Sequence, residues 1–153
     1  MKNIQSITVV EDVTLVSLND SPADIGIISR IFNAISKAGI DVDMISQTPP
    51  HSNRPHLSFT VNGEDFGKIL EISKKIREVN PDLKLSVSTG NCKISIFGEK
   101  MRNCPGIATK VFAAAAEAKT DIIMITTSEV DISLLVPKGD LETTIDSITK
   151  AFE

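Results

Sequence analysis

Two loops hold the residues best placed for recognition chemistry. Asn19 to Gly26 reads NDSPADIG and Glu99 to Gly106 reads EKMRNCPG, and each ends in a glycine that opens an apolar-faced stretch. Glycine at such a point lets backbone approach a ligand closely. The uncommitted amides and the dipole of a helix start favour a carboxylate, although the dipole contributes only about 0.3–1 kcal/mol where exposed. Asp24 and Asn103 suit caps and turns equally well, so the loops alone leave an anion site and a plain helix start both open. Asp43 interrupts the otherwise apolar segment VDMI. A strand carboxylate near such a loop can hold an ammonium group; an exposed strand face is the alternative. Thr126 to Glu129, TTSE, offers hydroxyls and a carboxylate at a turn, suited to polar recognition and to a plain turn alike.

The remaining reactive side chains form no catalytic set. Cys104 at a helix start fits a lowered thiol pKa, but no histidine falls in the core segments to serve as its base. His51 and His56 belong to the proline-containing stretch TPPHSNRPH, expected to be a solvated loop. Cys92 and Cys104 make neither a disulfide framework nor a zinc site, and no CxxC spacing occurs. No metal site, cofactor or catalytic residue is therefore expected. In 153 residues, 16 basic and 20 acidic side chains give a net charge of −4. That acidic balance, with no Trp or Tyr and 4% aromatics, argues against nucleic acid as a partner. No run approaches the roughly 18 apolar residues of a membrane span. The start MKNIQSITVVEDV lacks the apolar stretch of a signal peptide. A cytoplasmic protein with no membrane partner is the expectation.

The elements that must position these loops emerge from a repeat. GIISRIFNAISKAGIDVDMIS (Gly26 to Ser46) lies over GIATKVFAAAAEAKTDIIMIT (Gly106 to Thr126), with Phe32 on Phe112 at a shift of 80. Gly26/Gly106, Phe32/Phe112, Ala34/Ala114, Ala38/Ala118, Asp41/Asp121, Met44/Met124 and Ile45/Ile125 are identical, and Asp43 faces Ile123. Downstream, Leu57 to Val61 lies over Ile132 to Val136 at a shift of 75, so the first copy has about five more loop residues.

Within the first copy, Val13 to Leu18 reads as a strand. Ile27, Ile28, Ile31, Phe32 and Ile35 mark a helix stopped at Gly39. Ile40 to Ser46 and Leu57 to Val61 read as strands, Phe66 to Ile76 as a helix, and Leu83 to Val87 as a strand. This is a ferredoxin-like βαββαβ order. The second copy repeats it from Ile94 to a last helix on Leu141, Ile145, Ile148 and Phe152, then ends one strand short. Ile4 to Val10 is a strand in surplus at the other end. It is expected to complete the second copy, since an unpaired sheet edge exposes donors and acceptors. The fold expected is α+β: two interlocked units, the first over 11–90 and the second over 91–153 plus strand 1–10.

MRNCPGIATKVF followed by MITTSEVDISLLV closely resembles the second ACT domain of aspartokinase regulatory regions, and RIFNAISKAGIDVDMISQ resembles the first. The resemblance spans the chain, including the leading strand. It implies tandem ACT domains that bind a free amino acid such as lysine or threonine as a feedback effector at an interface. It also implies a homodimer through ACT units without catalytic function of their own, the chain being a stand-alone sensor, a regulatory subunit with a separate kinase catalytic chain as partner, or a fragment of an aspartokinase. Carried over residue by residue, it implies a first site of Asp24, Ile25, Gly26 and Ile27 with Asp43, Met44, Ile45 and Gln47. The second site is Met101, Asn103, Cys104, Pro105, Gly106 and Ile107 with Thr127, Ser128 and Glu129. The copies differ: Ile25 stands where the family has proline, and Ile123 where lysine-sensitive relatives carry aspartate. The first site, which keeps Asp43, is the expected amine binder.

Overall fold

The computed structural model describes residues 3–18, 25–51 and 54–153, with side chains at 49–51 and 54–55 left aside. Six strands and four helices follow in the order β1 (Ser6–Leu18), α1 (Ile25–Lys37), β2 (Val42–His51), β3 (Arg54–Asn62), α2 (Phe66–Val79), β4 (Leu85–Phe97), α3 (Ile107–Glu117), β5 (Met124–Thr127), β6 (Asp131–Pro137) and α4 (Leu141–Phe152). The chain divides into two compact units. One comprises Asp12–Thr89, the other Met1–Glu11 together with Gly90–Glu153.

In the first unit the strand order is β2-β3-β1-β4, and in the second β1-β4-β6-β5. Each is the order of a ferredoxin-like βαββαβ unit, and β1 supplies the last strand of the second. Where the sequence pattern suggests short strands at 4–10 and 13–18, and again at 83–87 and 94–97, the structure has one 13-residue strand each, β1 and β4. The pattern breaks at residues in the left-handed region, Asp12 (φ 53°) and Gly90 (φ 72°), which fall where each strand leaves one unit and enters the other. The stretch expected to be a proline-rich loop is instead largely paired. β2 runs on to His51 and β3 begins at Arg54, with Thr48 opposite His56. Pro49 and Pro50 are tolerated because β2 is an edge strand.

Alternation along the strands explains which face the helices cover. In the first unit Val16, Leu18, Leu57, Phe59 and Val61 pack under Ile31, Ile35 and Ile69, with the Phe32 and Phe59 ring centroids 5.2 Å apart. In the second, Cys92, Ile94, Ile96, Ile132, Leu134 and Val136 meet Val111, Ala114, Ile148 and Phe152, and Ile4 joins that core. The leading segment is pinned there by backbone as well. Gln5 N–H donates to the Phe97 carbonyl at 2.8 Å, and Gln5 Oε1 accepts from the Glu99 N–H at 2.6 Å.

Both first helices end in the same C-terminal motif. Gly39 N–H bonds the Ser36 carbonyl and Ile40 N–H the Ile35 carbonyl; Lys119 and Thr120 repeat this with Ala116 and Ala115. Duplication extends to polar detail: Ser17 and Ser58 pair at 2.9 Å, and Ser95 and Ser133 at 3.3 Å. Among the described residues no helix is long and apolar enough to cross a membrane.

Candidate functional site

The loop from Phe97 to α3 is built from its two anchored ends. Met101 and Ile107 are buried and belong to the core of the second unit, so their side chains fix the loop and only the segment between them projects. Within it the Cys104 N–H bonds the Met101 carbonyl at 3.0 Å. Asn103 adopts φ 56°, a conformation asparagine accepts more readily than most residues. Gly106 caps α3 at φ 94°, in a region where a Cβ is strained. Pro105 cannot donate a backbone N–H, and the Lys110 N–H closes on the Gly106 carbonyl at 3.0 Å. Amides of the first helical turn thus stay available beside the loop.

Around this loop lies an open cavity of about 470 Å³, lined by Met101, Arg102, Asn103, Cys104, Pro105 and Glu129. Five of these residues are read from the sequence. The sixth, Arg102, is not, although it stands inside the same loop. Its guanidinium is ion-paired with the Glu129 carboxylate, which places one charge of each sign at the cavity. The Cys104 Sγ accepts from Asn3 Nδ2 at 3.6 Å; sulfur is a weak acceptor.

Glu129 is carried in by the turn after β5. Ser128 shapes that turn: its N–H donates to the Asp131 carbonyl at 2.8 Å, and its Oγ accepts from the Val130 and Asp131 amides at 3.3 and 3.1 Å. Ser128 therefore spends its hydroxyl on the turn, while Thr127 is exposed at the end of β5.

The first set of residues is arranged differently. Asp24 lies outside the described residues. Ile25 is exposed and Gly26 sits inside the first turn of α1 instead of capping it. Met44 is buried, its N–H donating to Thr60 Oγ1 at 2.9 Å. Asp43, Ile45 and Gln47 are exposed on β2. Ile45 lies opposite Phe59 and Gln47 opposite Leu57, so both are on the helix-covered face of the edge strand. Ile27 is half-buried against the core. In the second unit Ile125 and Thr127 lie opposite Leu134 and Ile132, the same face of edge strand β5. The repeat thus leaves an exposed isoleucine, Ile45 or Ile125, on each edge. Cys92 and Cys104 are free thiols. Among the described residues no cluster of three or more His, Cys, Asp or Glu side chains is placed to hold a metal.

Duplicated ferredoxin-like units, the second with its loop and helix start beside the turn that follows edge strand β5, define a tandem ACT-domain protein. ACT domain families match residues 15–80 and 94–152. The regulatory subunit of aspartate kinase from Thermus flavus superposes with a TM-score of 0.89 at 30% identity, over 99% of this chain and 100% of that one. A structure described as aspartokinase alpha and beta subunits gives a TM-score of 0.88 at 30% identity, over 97% of this chain and 98% of that one. An aspartokinase of Pseudomonas aeruginosa is 34% identical over 140 residues, which is 92% of this chain and 33% of that protein. The chain belongs to the ACT-domain family of aspartokinase regulatory regions. It spans about a third of the length of the curated aspartokinases it matches, and the whole of it consists of these regulatory domains.

Proposed function

We propose that this chain is a non-catalytic sensor of a free amino acid such as lysine or threonine, and that it regulates an aspartokinase catalytic region. That region is carried by a separate chain, or by the same one if this is the regulatory part of a longer protein. The supporting observation is the cavity at the start of α3, with backbone amides, one cation and one carboxylate around a space of about 470 Å³. A zwitterion needs that combination: donors for its carboxylate and an acceptor for its ammonium group. Asp43, exposed on β2, gives the first unit a carboxylate of its own for an amine.

Pairing of edge strands between two copies would cover Ile45 and Ile125 and satisfy the backbone groups of β2 and β5, so a homodimer is part of the proposal. A thermal-shift screen of the twenty amino acids, read with the mass in solution, tests the reading. The expected result is a dimer stabilised by one or a few amino acids, by about 2.7 kcal/mol at a hundredfold excess over Kd. Unchanged melting with all twenty overturns the sensor. Asp43→Ala is expected to remove the shift of a ligand held by the first unit, and Glu129→Gln that of a ligand held by the second.

A further inference from the structure

The two helical faces of this duplicated protein have diverged, and only one is closed. In the second unit the seam between α3 and α4 is filled. The alanine run of α3 puts Ala114 and Ala115 in the interior, Ser147 Oγ donates to the Ala114 carbonyl at 2.8 Å, and the Lys110 ammonium lies 4.7 Å from the centre of the Phe152 ring. In the first unit the seam between α1 and α2 stays open as a groove of about 300 Å³, with Ala34, Ala38, Ile72 and Ile76 on its floor and Lys37, Lys68 and Lys75 outnumbering Glu71 on its rim. It continues past Lys75 and Ile76 into a second hollow of about 180 Å³ between Arg30 and Val79. Val79 is 75% exposed.

Charge divides the same way. α1 and α2 carry Arg30, Lys37, Lys68, Lys74, Lys75 and Arg77 against only Glu71 and Glu78, in a chain of net charge −4. The helices of the other unit carry Lys110 and Lys150 against Glu117, Glu142 and Asp146. A cationic rim around an aliphatic floor suits an acidic protein surface with an aliphatic side chain at its centre: the charges steer and orient, the floor takes the apolar group. A second copy of this chain fits poorly, because joining this face to an acidic face elsewhere on the same molecule is a head-to-tail contact, which builds rings or filaments and not the two-fold homodimer proposed above. The floor offers no aromatic platform for bases, which disfavours nucleic acid.

We propose that the α1–α2 seam of the first unit is the docking groove for an acidic, aliphatic-centred surface of the aspartokinase catalytic region. The inference rests on the regulatory reading above. The test measures binding of this chain to the aspartokinase catalytic polypeptide of the same genome, by titration at two salt concentrations. Lys37→Glu/Lys75→Glu spares Lys68, whose ammonium reaches the Ala38 carbonyl at 3.5 Å and Asp65 at 3.7 Å.

That double variant is expected to bind at least tenfold more weakly and with a shallower salt dependence. Val79→Asp alone is expected to weaken binding severalfold. Both should keep the wild-type melting temperature and amino-acid response. If the wild type binds and both variants bind equally well, the groove is overturned and the regulatory reading stands. If polyglutamate binds as tightly as the kinase polypeptide, the groove is a general polyanion site and the proposal is overturned. If the wild type itself does not bind the kinase polypeptide, the regulatory reading falls and the groove with it.

Discussion

Arg102 and Glu129 make an ion pair whose side chains are 55% and 70% exposed. At that exposure the pair contributes at most about 1 kcal/mol to stability, so its consequence lies in the charge it sets at the cavity. Arg102→Ala is accordingly expected to change the unfolding free energy by less than about 1 kcal/mol in urea titration, yet to alter the amino-acid-induced shift in melting. A loss of several kcal/mol without ligand would assign the pair to the fold instead. Ser128 is the reverse case, since its hydroxyl holds two turn amides. Ser128→Ala should cost about 1 kcal/mol and affect the ligand response only through Glu129. The loop from Met101 to Gly106 was legible in the sequence because proline and glycine have fixed backbone meanings at a helix start and the residues before them match the ACT resemblance. Arg102 was not, because a lone loop cation has no periodicity and its partner enters from a distant turn.

Helix ends show where local sequence rules are followed and where the fold overrides them. The glycine at the end of α1 meets the requirement of its motif, with φ 74°, whereas the same position after α3 is Lys119 at φ 56°. A residue with a Cβ in that region carries a penalty of about 1–2 kcal/mol. Lys119→Gly is therefore expected to stabilise the protein by about 1 kcal/mol, and Gly39→Ala to destabilise it by a similar amount, both read from chemical unfolding. Gly39 is a stop signal that sequence shows directly. Lys119 is not, and only the repeat register, which lays Ala118 over Ala38, points to a helix end there. The long strands were hidden for a related reason: Asp12 and Gly90 break the alternation, so β1 and β4 each read as two short runs. The extension of β2 through Pro49 and Pro50 was hidden because proline usually marks the end of a strand, and an edge position removes that objection.

At the scale of the molecule, β1 and β4 each run through both units, so neither unit has a complete sheet without strands that also serve the other. A single melting transition is expected, with core truncations in either unit, such as Phe59→Ala or Ile148→Ala, lowering the same transition. Two resolved transitions in calorimetry would contradict shared strands. The surplus strand was visible in the sequence by simple counting, and an open sheet edge already pointed to its place in the second copy; the contact that fixes the segment before it was not visible, because it is a backbone one. A Cβ on Gly98 would collide with the carbonyl of Asn3, while the backbone of Gly98 is extended (φ −168°, ψ 119°), a conformation that any residue adopts. Strain from the substitution thus arises only from the presence of the N-terminal segment. Gly98→Ala should cost about 1–3 kcal/mol in the full chain. Deleting residues 1–5 should itself destabilise the second unit, since Ile4 leaves the core and Gln5 leaves Phe97 and Glu99. In the deleted chain, however, Gly98→Ala should cost almost nothing further, a strong non-additivity of the kind expected for groups in direct contact. Additive losses in the two single variants and the combination would mean that the segment ahead of β1 and Gly98 do not meet.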